Sequence, residues 1–195
     1  MEHIVVSPRR RKPFISYTMY AFSKQELEAL LASCERMSDY IMILIASRYG
    51  IRREDIVGIK ISNVNLQDHT LTYYEHKKKR DRFVTLEQDV EVDLKRYLNS
   101  VKKGQTLLLP FGHGTTAWHH LQEICRIAKI PVPAGRTGRP FHSLRGTCVK
   151  MRQAQGWNLN EVAALIGDDV DTVAKHYATV TPAELATKMR GCTQQ

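Results

Sequence analysis

The segment from residue 39 to residue 49 constrains the fold most, because its apolar residues do not keep to one side of a helix. It reads DYIMILIASRY. In a helix, its apolar residues would lie nearly all round the axis, and they are Tyr40, Ile41, Ile43, Leu44 and Ile45. A helix that is apolar on every side must be surrounded by other elements. The segment therefore predicts a helix at the centre of the core, ended by Gly50.

The composition is that of a single soluble domain with a basic surface. The 195 residues are 43% hydrophobic and 25% charged, which suffices for one substantial core and not comfortably for two. Lysine and arginine outnumber aspartate and glutamate by 29 to 20, for a formal net charge of +9. This excess favours a polyanionic partner, either nucleic acid or an anionic membrane face, although many soluble proteins are mildly basic.

Cysteine usage and the length of the apolar runs indicate a reduced, intracellular setting. The four cysteines are scattered without a C-x-x-C pair, so neither a zinc knuckle nor a redox motif is present in the sequence. The longest apolar run, YIMILIA, is far shorter than the ~20 residues that cross a bilayer. No apolar segment of the signal-peptide kind stands at the N-terminus. We therefore expect a cytoplasmic protein.

Capping signals, periodicity and chain breakers predict a mainly helical α+β fold. Ser23 and Glu26 form a capping box before a first helix that should run to about Arg36. Further helices are predicted at 39–49, within RREDIVGIK, at 89–99, 116–128, 143–155, 160–166, 170–178 and from residue 182. LTYYEH and RFVTL are rich in β-branched and aromatic residues and flank a charged KKKRD, which predicts a small antiparallel sheet near the middle of the chain. Residues 63–66 are a candidate edge strand.

The first 22 residues are predicted to form a flexible basic arm. The stretch SPRRRKP has three arginines between prolines and no periodic apolar pattern, and these arginines are Arg9, Arg10 and Arg11. Two interpretations of the arm stay open, a solvated tail and a set of contacts to a DNA backbone. We predict one folded domain over residues 23–195.

Five short motifs lie in a fixed order along that domain. They supply, in turn, Arg52 in GIRRED, Lys77 in HKKKRDRFVTL, His142 and Arg145 in FHSLR, Gly167, and Tyr177 ten residues later. Each motif alone is weak, but the order and the predicted structural settings resemble the tyrosine recombinase (phage integrase) family. The resemblance runs from Ser23 to the C-terminus. It implies an integrase-type catalytic domain. Typical members also carry a separate N-terminal core-binding domain, which we do not expect here, so the sequence is either a minimal recombinase or an excised catalytic domain.

The residue types in these motifs suit the cleavage of a phosphodiester. An arginine fork donates two parallel hydrogen bonds and stays charged, so Arg52 and Arg145 are expected to clamp the non-bridging oxygens of one phosphate. The resemblance implies that Tyr177 attacks in line, forming a covalent 3′-phosphotyrosine and freeing a 5′-hydroxyl. It also implies general acid–base catalysis by His142 and protonation of the leaving group by Lys77, without metal or cofactor.

Other residues are assigned supporting roles. Asp55 matches the acidic position of the arginine box, and we expect it to orient Arg52. The cations expected to bind DNA are those of the arm together with Lys78, Lys79 and Arg80. We expect no metal site at His113, His119 and His120, because adjacent helical residues point to different sides and no carboxylate or thiol completes a ligand set.

The sequence departs from the family at Asp168, where His or Trp usually follows the glycine. We include Asp168 among the catalytic positions. An ionised carboxylate there would repel a phosphate, so we expect it to point away, to hydrogen-bond to a neighbour such as His142, or to be protonated. One consequence is a slower enzyme.

Taken together, these features predict a site-specific DNA recombinase that binds double-stranded DNA and self-associates on it as a dimer or tetramer. Each residue also has an ordinary interpretation, such as a surface arginine, a capping histidine or a half-buried tyrosine. Two alternatives remain: a type IB topoisomerase-like enzyme, which shares the covalent chemistry, and a DNA-binding regulator with a weakened active site. The segment from Pro182 to Met189 is expected either to dock on a neighbouring protomer or to pack on its own core.

Overall fold

The computed structural model describes residues 20–131, 140–177, 185–186 and 189–190. The arginines of the basic arm, the centre of the IPVPAGRTGRP segment and most of the segment from 182 to 189 lie outside the described residues. Within them, the helices are α1 Lys24–Ala32, α2 Met37–Tyr49, α3 Arg53–Ile56, α4 Gln88–Ser100, α5 Gly114–Ile127, α6 Pro140–Ala154, α7 Leu159–Ile166 and α8 Val170–His176. The predicted capping box of Ser23 and Glu26 is present at the start of α1.

Helix α2 forms the centre of the core, as its sequence predicts. Ile41, Met42, Ile43 and Ile45 are completely buried, and the helix packs against α1, α4, α5 and α6. It ends at Gly50, which has a φ of +63°. A Cβ at Gly50 would lie 2.7 Å from Ile166 Cγ2, so both the backbone conformation and the packing require glycine there.

The predicted sheet is present and has three antiparallel strands in the order β1 Val64–Asn65, β2 Thr70–Glu75, β3 Arg80–Thr85. The register pairs Leu71 with Val84 and, at the turn end of the hairpin, Glu75 with Arg80. Residues 76–79 form the turn between β2 and β3. The turn therefore lies directly beyond the pair formed by Glu75 and Arg80.

A second, smaller cluster of buried residues joins α6, α7 and α8. It contains Cys148 and Val149 from α6, Val162 and Ile166 from α7, and Tyr177 just after α8. Asn158 caps α7 with a capping box, and Gly167 ends α7 with a φ of +70°. No helix in the described part of the chain combines the length and the apolarity that a membrane span needs.

Candidate active site

Arg145 lies where the C-termini of α2 and α7 meet. Its Nη1 donates to the carbonyl oxygens of Gly50, at 2.5 Å, and Ile166, at 2.8 Å. The last carbonyls of a helix lack partners within the helix and carry its negative dipole end, so a guanidinium between two such ends is held by both. The side chain is only 2% exposed. Arg145 is thereby fixed in the core with Nη2 directed towards the loop after α7.

Asp168 bridges the two arginines of the predicted clamp. Its Oδ2 accepts from Arg145 Nη2 at 2.8 Å and from Arg52 Nη2 at 3.2 Å. Burial alone would raise the pKa of this carboxyl. The hydrogen bond and charge of Arg145, with the charges of Arg52 and Lys77, outweigh burial and lower the pKa below its usual value. The sequence left three possibilities for Asp168: pointing away, hydrogen-bonding to a neighbour, or being protonated. In the structure Asp168 is hydrogen-bonded, its partners are the two arginines, and its carboxylate is ionised.

Arg52 reaches the same point from the other side, from the loop between α2 and α3. Its Nη1 donates to Glu75 Oε1 at 2.6 Å, while its Nη2 donates to Asp168. Glu75 in turn accepts from Arg80 Nε, at 3.0 Å, through its second oxygen. The structure therefore brings Arg52 and Arg145 to one carboxylate oxygen, although 93 positions separate them in the chain.

Tyr177 lies beside this group. It directly follows α8, and its backbone N–H donates to Val173 O at 3.0 Å. The side chain belongs to the second buried cluster, and the centre of its ring lies 6.0 Å from Arg145 Cζ. Tyr177 and Arg145 are thus near each other, as a common phosphate would require.

The cations of the β2–β3 turn border the site. Lys77 is exposed, and its positive charge contributes to the low pKa of Asp168. Lys78 Nζ lies 3.5 Å from Asp169 Oδ1. Lys79 is exposed with a φ of +50°, and Arg80, which contacts Glu75, is about half exposed. The turn therefore presents positive charge at the edge of the site.

His142 and Asp55 complete the predicted set. His142 is half-buried in the first turn of α6, three residues before Arg145, so the two side chains leave the same face of that helix. Asp55, which we expect from the sequence to orient Arg52, instead contacts His76: Oδ1 accepts from the backbone N–H at 3.0 Å and lies 2.9 Å from Nδ1. The carboxylates that contact Arg52 are Glu75 and Asp168.

Sequence reasoning missed Glu75 and Arg82. Glu75 follows Leu71 and Tyr73 at alternate positions of β2, and all three are buried, so the period of the strand was a usable signal for an inward-facing carboxylate. Arg82 Nη2 donates to the carbonyl oxygens of Ala164, at 2.6 Å, and Leu165, at 3.2 Å. No local pattern indicates that Arg82 caps α7, because the two segments meet only in the folded chain.

The histidines of α5 have structural contacts. His120 Nδ1 lies 2.8 Å from Asp39 Oδ1, and its ring packs edge-on against Phe111 at 4.6 Å between centroids. Among the residues that the structure describes, no group of three or more His, Cys, Asp or Glu side chains is placed to hold a metal ion.

Comparison with known proteins gives consistent matches. The sequence model described as the phage integrase family matches residues 21–184. Tyrosine recombinase XerA of Pyrococcus furiosus is 23% identical over 192 residues, covering 91% of this chain and 63% of that protein. The chain therefore spans less than two thirds of the length of this relative.

Solved structures share the fold. A crystal structure of XerA recombinase has a TM-score of 0.75 at 19% identity, over 91% of this chain and 66% of that one. XerH site-specific recombinase bound to palindromic difH substrate, a post-cleavage complex, has a TM-score of 0.67 at 19% identity, over 87% and 52%. The predicted fold class, a mainly helical integrase-type domain with a small antiparallel sheet, is confirmed.

Proposed function

Because the chain belongs to the phage integrase family, we propose that it is a site-specific DNA recombinase acting through a covalent 3′-phosphotyrosine. The observation that carries the proposal is the convergence of Arg52 Nη2 and Arg145 Nη2 on one oxygen atom, with the ring of Tyr177 beside Arg145. Two guanidinium groups that share one carboxylate oxygen are spaced to share one phosphate oxygen.

The bond changes follow from the residues at the site. The phenolic oxygen of Tyr177 attacks the phosphorus, and the bond from phosphorus to the 5′-oxygen breaks. His142 takes the phenolic proton, and Lys77 gives a proton to the departing 5′-oxygen. Arg52 and Arg145 neutralise the charge that grows on the non-bridging oxygens. Attack by a 5′-hydroxyl from a second strand reverses these steps and rejoins the DNA.

Asp168 has to give up its position for this reaction. Its side chain is 6% exposed and that of Arg145 only 2%, so a DNA phosphate reaches both Nη2 atoms only after Asp168 has moved. Asp168 lies between α7 and α8 and follows Gly167. Rotation of its side chain is enough to withdraw the carboxylate, while its backbone N–H keeps its bond to Ala163 O at the end of α7. We propose that phosphate and carboxylate exchange at the arginines when DNA binds.

The proposed partners are double-stranded DNA and further copies of the chain. One Tyr177 breaks one strand, so the exchange of two duplexes requires four copies acting on four strands. The proposed backbone contacts are the cations of the basic arm together with Lys78 and Lys79 in the β2–β3 turn and Arg80 at the start of β3. Because the proposed substrate is the DNA of the host cell, we place the protein in the cytoplasm.

Covalent trapping tests the proposal. The full chain is incubated with a pool of duplexes that carry a nick beside randomised core bases, so that cleavage releases a short fragment and cannot be reversed. Adducts are separated on a denaturing gel and sequenced. We expect a DNA adduct that disappears in Tyr177→Phe. If the parent forms no adduct, or if the adduct survives in Tyr177→Phe, the proposal is wrong.

The selected sequence then separates recombination from its alternatives. Joining of two duplexes that carry the sequence supports a recombinase, whereas relaxation of a supercoiled plasmid without joining indicates the topoisomerase-like alternative. DNA binding without an adduct indicates the regulator with a weakened site, an outcome that the contact of Asp168 with both arginines makes worth measuring.

A further inference from the structure

A buried carboxylate beside the site has no role in the reaction described above. Glu75 is completely buried at the end of β2, with its side chain 1% exposed. Burial alone would raise the pKa of its carboxyl, but hydrogen bonds from Arg52 and Arg80 and the charges of Arg52 and Arg82 lower it. Glu75 is therefore an ionised carboxylate inside the protein at neutral pH.

A contribution to folding stability does not explain well why an ionised carboxylate is buried here. Desolvation of two charges offsets most of their attraction, so a buried ion pair is often no more stable than apolar residues of the same size. Leu71 and Tyr73, which share the inward face of β2 with Glu75, show that this face accommodates apolar side chains. The presence of a charge at Glu75 calls for another explanation.

The contacts of Glu75 supply that explanation. Oε1 accepts from Arg52 Nη1 at 2.6 Å, and Oε2 accepts from Arg80 Nε at 3.0 Å. Arg80 faces Glu75 in the strand register, so the carboxylate is fixed from the sheet side. Because a guanidinium is planar and rigid, a fixed Nη1 also fixes the direction of Nη2, which in this structure points to Asp168 Oδ2.

We propose that Glu75 is a positioning residue that aims Arg52 at the scissile phosphate. The two carboxylates that contact Arg52 then have different roles: Asp168 is replaced by the phosphate, whereas Glu75 keeps its contact with Nη1 throughout the reaction. The proposal rests on the proposed function, because it assigns Glu75 a part in the cleavage step.

Neutralising Glu75 separates positioning from simple electrostatics. On charge alone, Glu75→Gln makes the site more positive and should improve both DNA binding and cleavage. A positioning role predicts slower cleavage without weaker DNA binding, because Arg52 loses its orientation while the site keeps its cations. A misplacement of about 1 Å costs on the order of 100-fold in rate. We expect Glu75→Gln to lower the single-turnover cleavage rate at saturating DNA by about 10- to 100-fold, with DNA affinity unchanged or tighter.

The experiment uses the full chain and the nicked duplex selected by covalent trapping. Glu123→Gln is the matched control, since this exposed glutamate pairs only with the nearby Arg126 among its described contacts, and we expect it to cleave as the parent does. A parental rate in Glu75→Gln overturns the proposal. An equal loss in Glu123→Gln also overturns it. Absence of an adduct in the parent instead refutes the proposed function, so the two failures are distinguishable.

Two further variants test the route through Arg52. If Glu75 acts on Arg52, adding Glu75→Gln to Arg52→Lys slows cleavage by less than about threefold beyond Arg52→Lys alone, because contacting residues are not additive. If the double variant instead loses the product of the two single-variant rate losses, the proposal is contradicted. If Glu75→Gln shows no cooperative thermal unfolding, Glu75→Asp replaces it: this variant keeps the charge but is one methylene too short to reach both arginines. We expect the same rate loss, and a parental rate in a folded Glu75→Asp overturns the proposal.

Discussion

At the scale of the residue, Asp168 occupies the two arginines that we propose to bind a phosphate. Its Oδ2 holds both Nη2 atoms, and its lowered pKa keeps it charged at neutral pH. A carboxylate that leaves this position places a negative charge near the incoming phosphate, and like charges at close range weaken binding. Asp168 is therefore expected to compete with DNA for the arginines.

Replacing Asp168 by Asn tests this competition. The amide keeps the shape of the side chain but removes its charge, so we expect the affinity for the duplex to rise by about threefold or more. Fluorescence anisotropy at fixed salt measures the affinity. Asp171→Asn, which removes an exposed carboxylate from the first turn of α8, should stay within twofold of the parent. Equal or weaker binding in Asp168→Asn would show that the carboxylate does not compete.

Lys77 is predicted to protonate the 5′-oxygen, and sulfur substitution can test that role. A 5′-thiolate leaves without protonation, so an enzyme that lacks its general acid recovers activity on a substrate with sulfur at the bridging 5′-position. We expect Lys77→Ala to lose at least 100-fold in cleavage of the normal substrate and to cleave the sulfur substrate at nearly the parental rate. If the sulfur substrate instead restores cleavage by Lys78→Ala or Lys79→Ala, the general acid is that lysine and not Lys77.

The site residues differ in how far the sequence could reveal them. Arg52, Arg145 and Tyr177 stand in motifs whose order is visible in one dimension, and the structure brings all three together. The contact of Asp168 with both arginines was not predictable, because it depends on where two loops far apart in the chain meet. The same holds for Asp55, whose actual partner is His76.

At the scale of the element, the site is built where helices end. Gly50 ends α2 and Gly167 ends α7, both in the left-handed conformation, and Arg145 donates to a carbonyl oxygen at each end. Arg82 caps α7 from the sheet side. The ends of α2 and α7 therefore orient the loop segments that carry Arg52 and Asp168.

Gly167→Ala tests this arrangement. A Cβ at Gly167 would lie 1.4 Å from Arg82 Nη1, so the substitution must displace Arg82 from α7 and shift Asp168. Gly156→Ala is a matched control, because Gly156 has a φ of +90° but a Cβ there would meet no atom within 4 Å. We expect both variants to lose about 1 kcal/mol through backbone strain. Only Gly167→Ala should lose cleavage, by about 100-fold or more; equal cleavage rates in the two variants would contradict the account.

The elements themselves were largely predictable, and their ends less so. The first helix stops at Ala32, short of the predicted Arg36, because Arg36 takes an extended conformation as the N-cap of α2. Helix α3 covers only Arg53–Ile56 of RREDIVGIK, because Ile59 O accepts from Leu108 N at 2.7 Å and draws the chain into an extended pairing. Contacts distant in sequence override local helix propensity at both places.

At the scale of the whole molecule, the net charge of +9 is expected to act through phosphate contacts. The logarithm of affinity should then fall linearly with the logarithm of salt concentration, with a slope of about −0.9 for each phosphate neutralised. If the arm contacts the DNA backbone, replacing Arg9, Arg10 and Arg11 by Ala reduces the slope by up to about 3. Arg126→Ala, which removes a cation already paired with Glu123, serves as the control. An unchanged slope in the arm variant supports the solvated tail.

Arg52, Arg145 and Tyr177, from three separate parts of the chain, are proposed to act on a single phosphate. A methylphosphonate at the scissile position tests it, because a methyl group replaces one non-bridging oxygen and removes the negative charge. An arginine that stabilises that charge is then no longer needed. We expect Arg145→Ala and Arg52→Ala to lose at least about 100-fold in Tyr177 adduct formation on the normal phosphate, and far less, relative to the parent, on the methylphosphonate. Equal losses on both substrates would show that these arginines do not contact the phosphate that Tyr177 attacks.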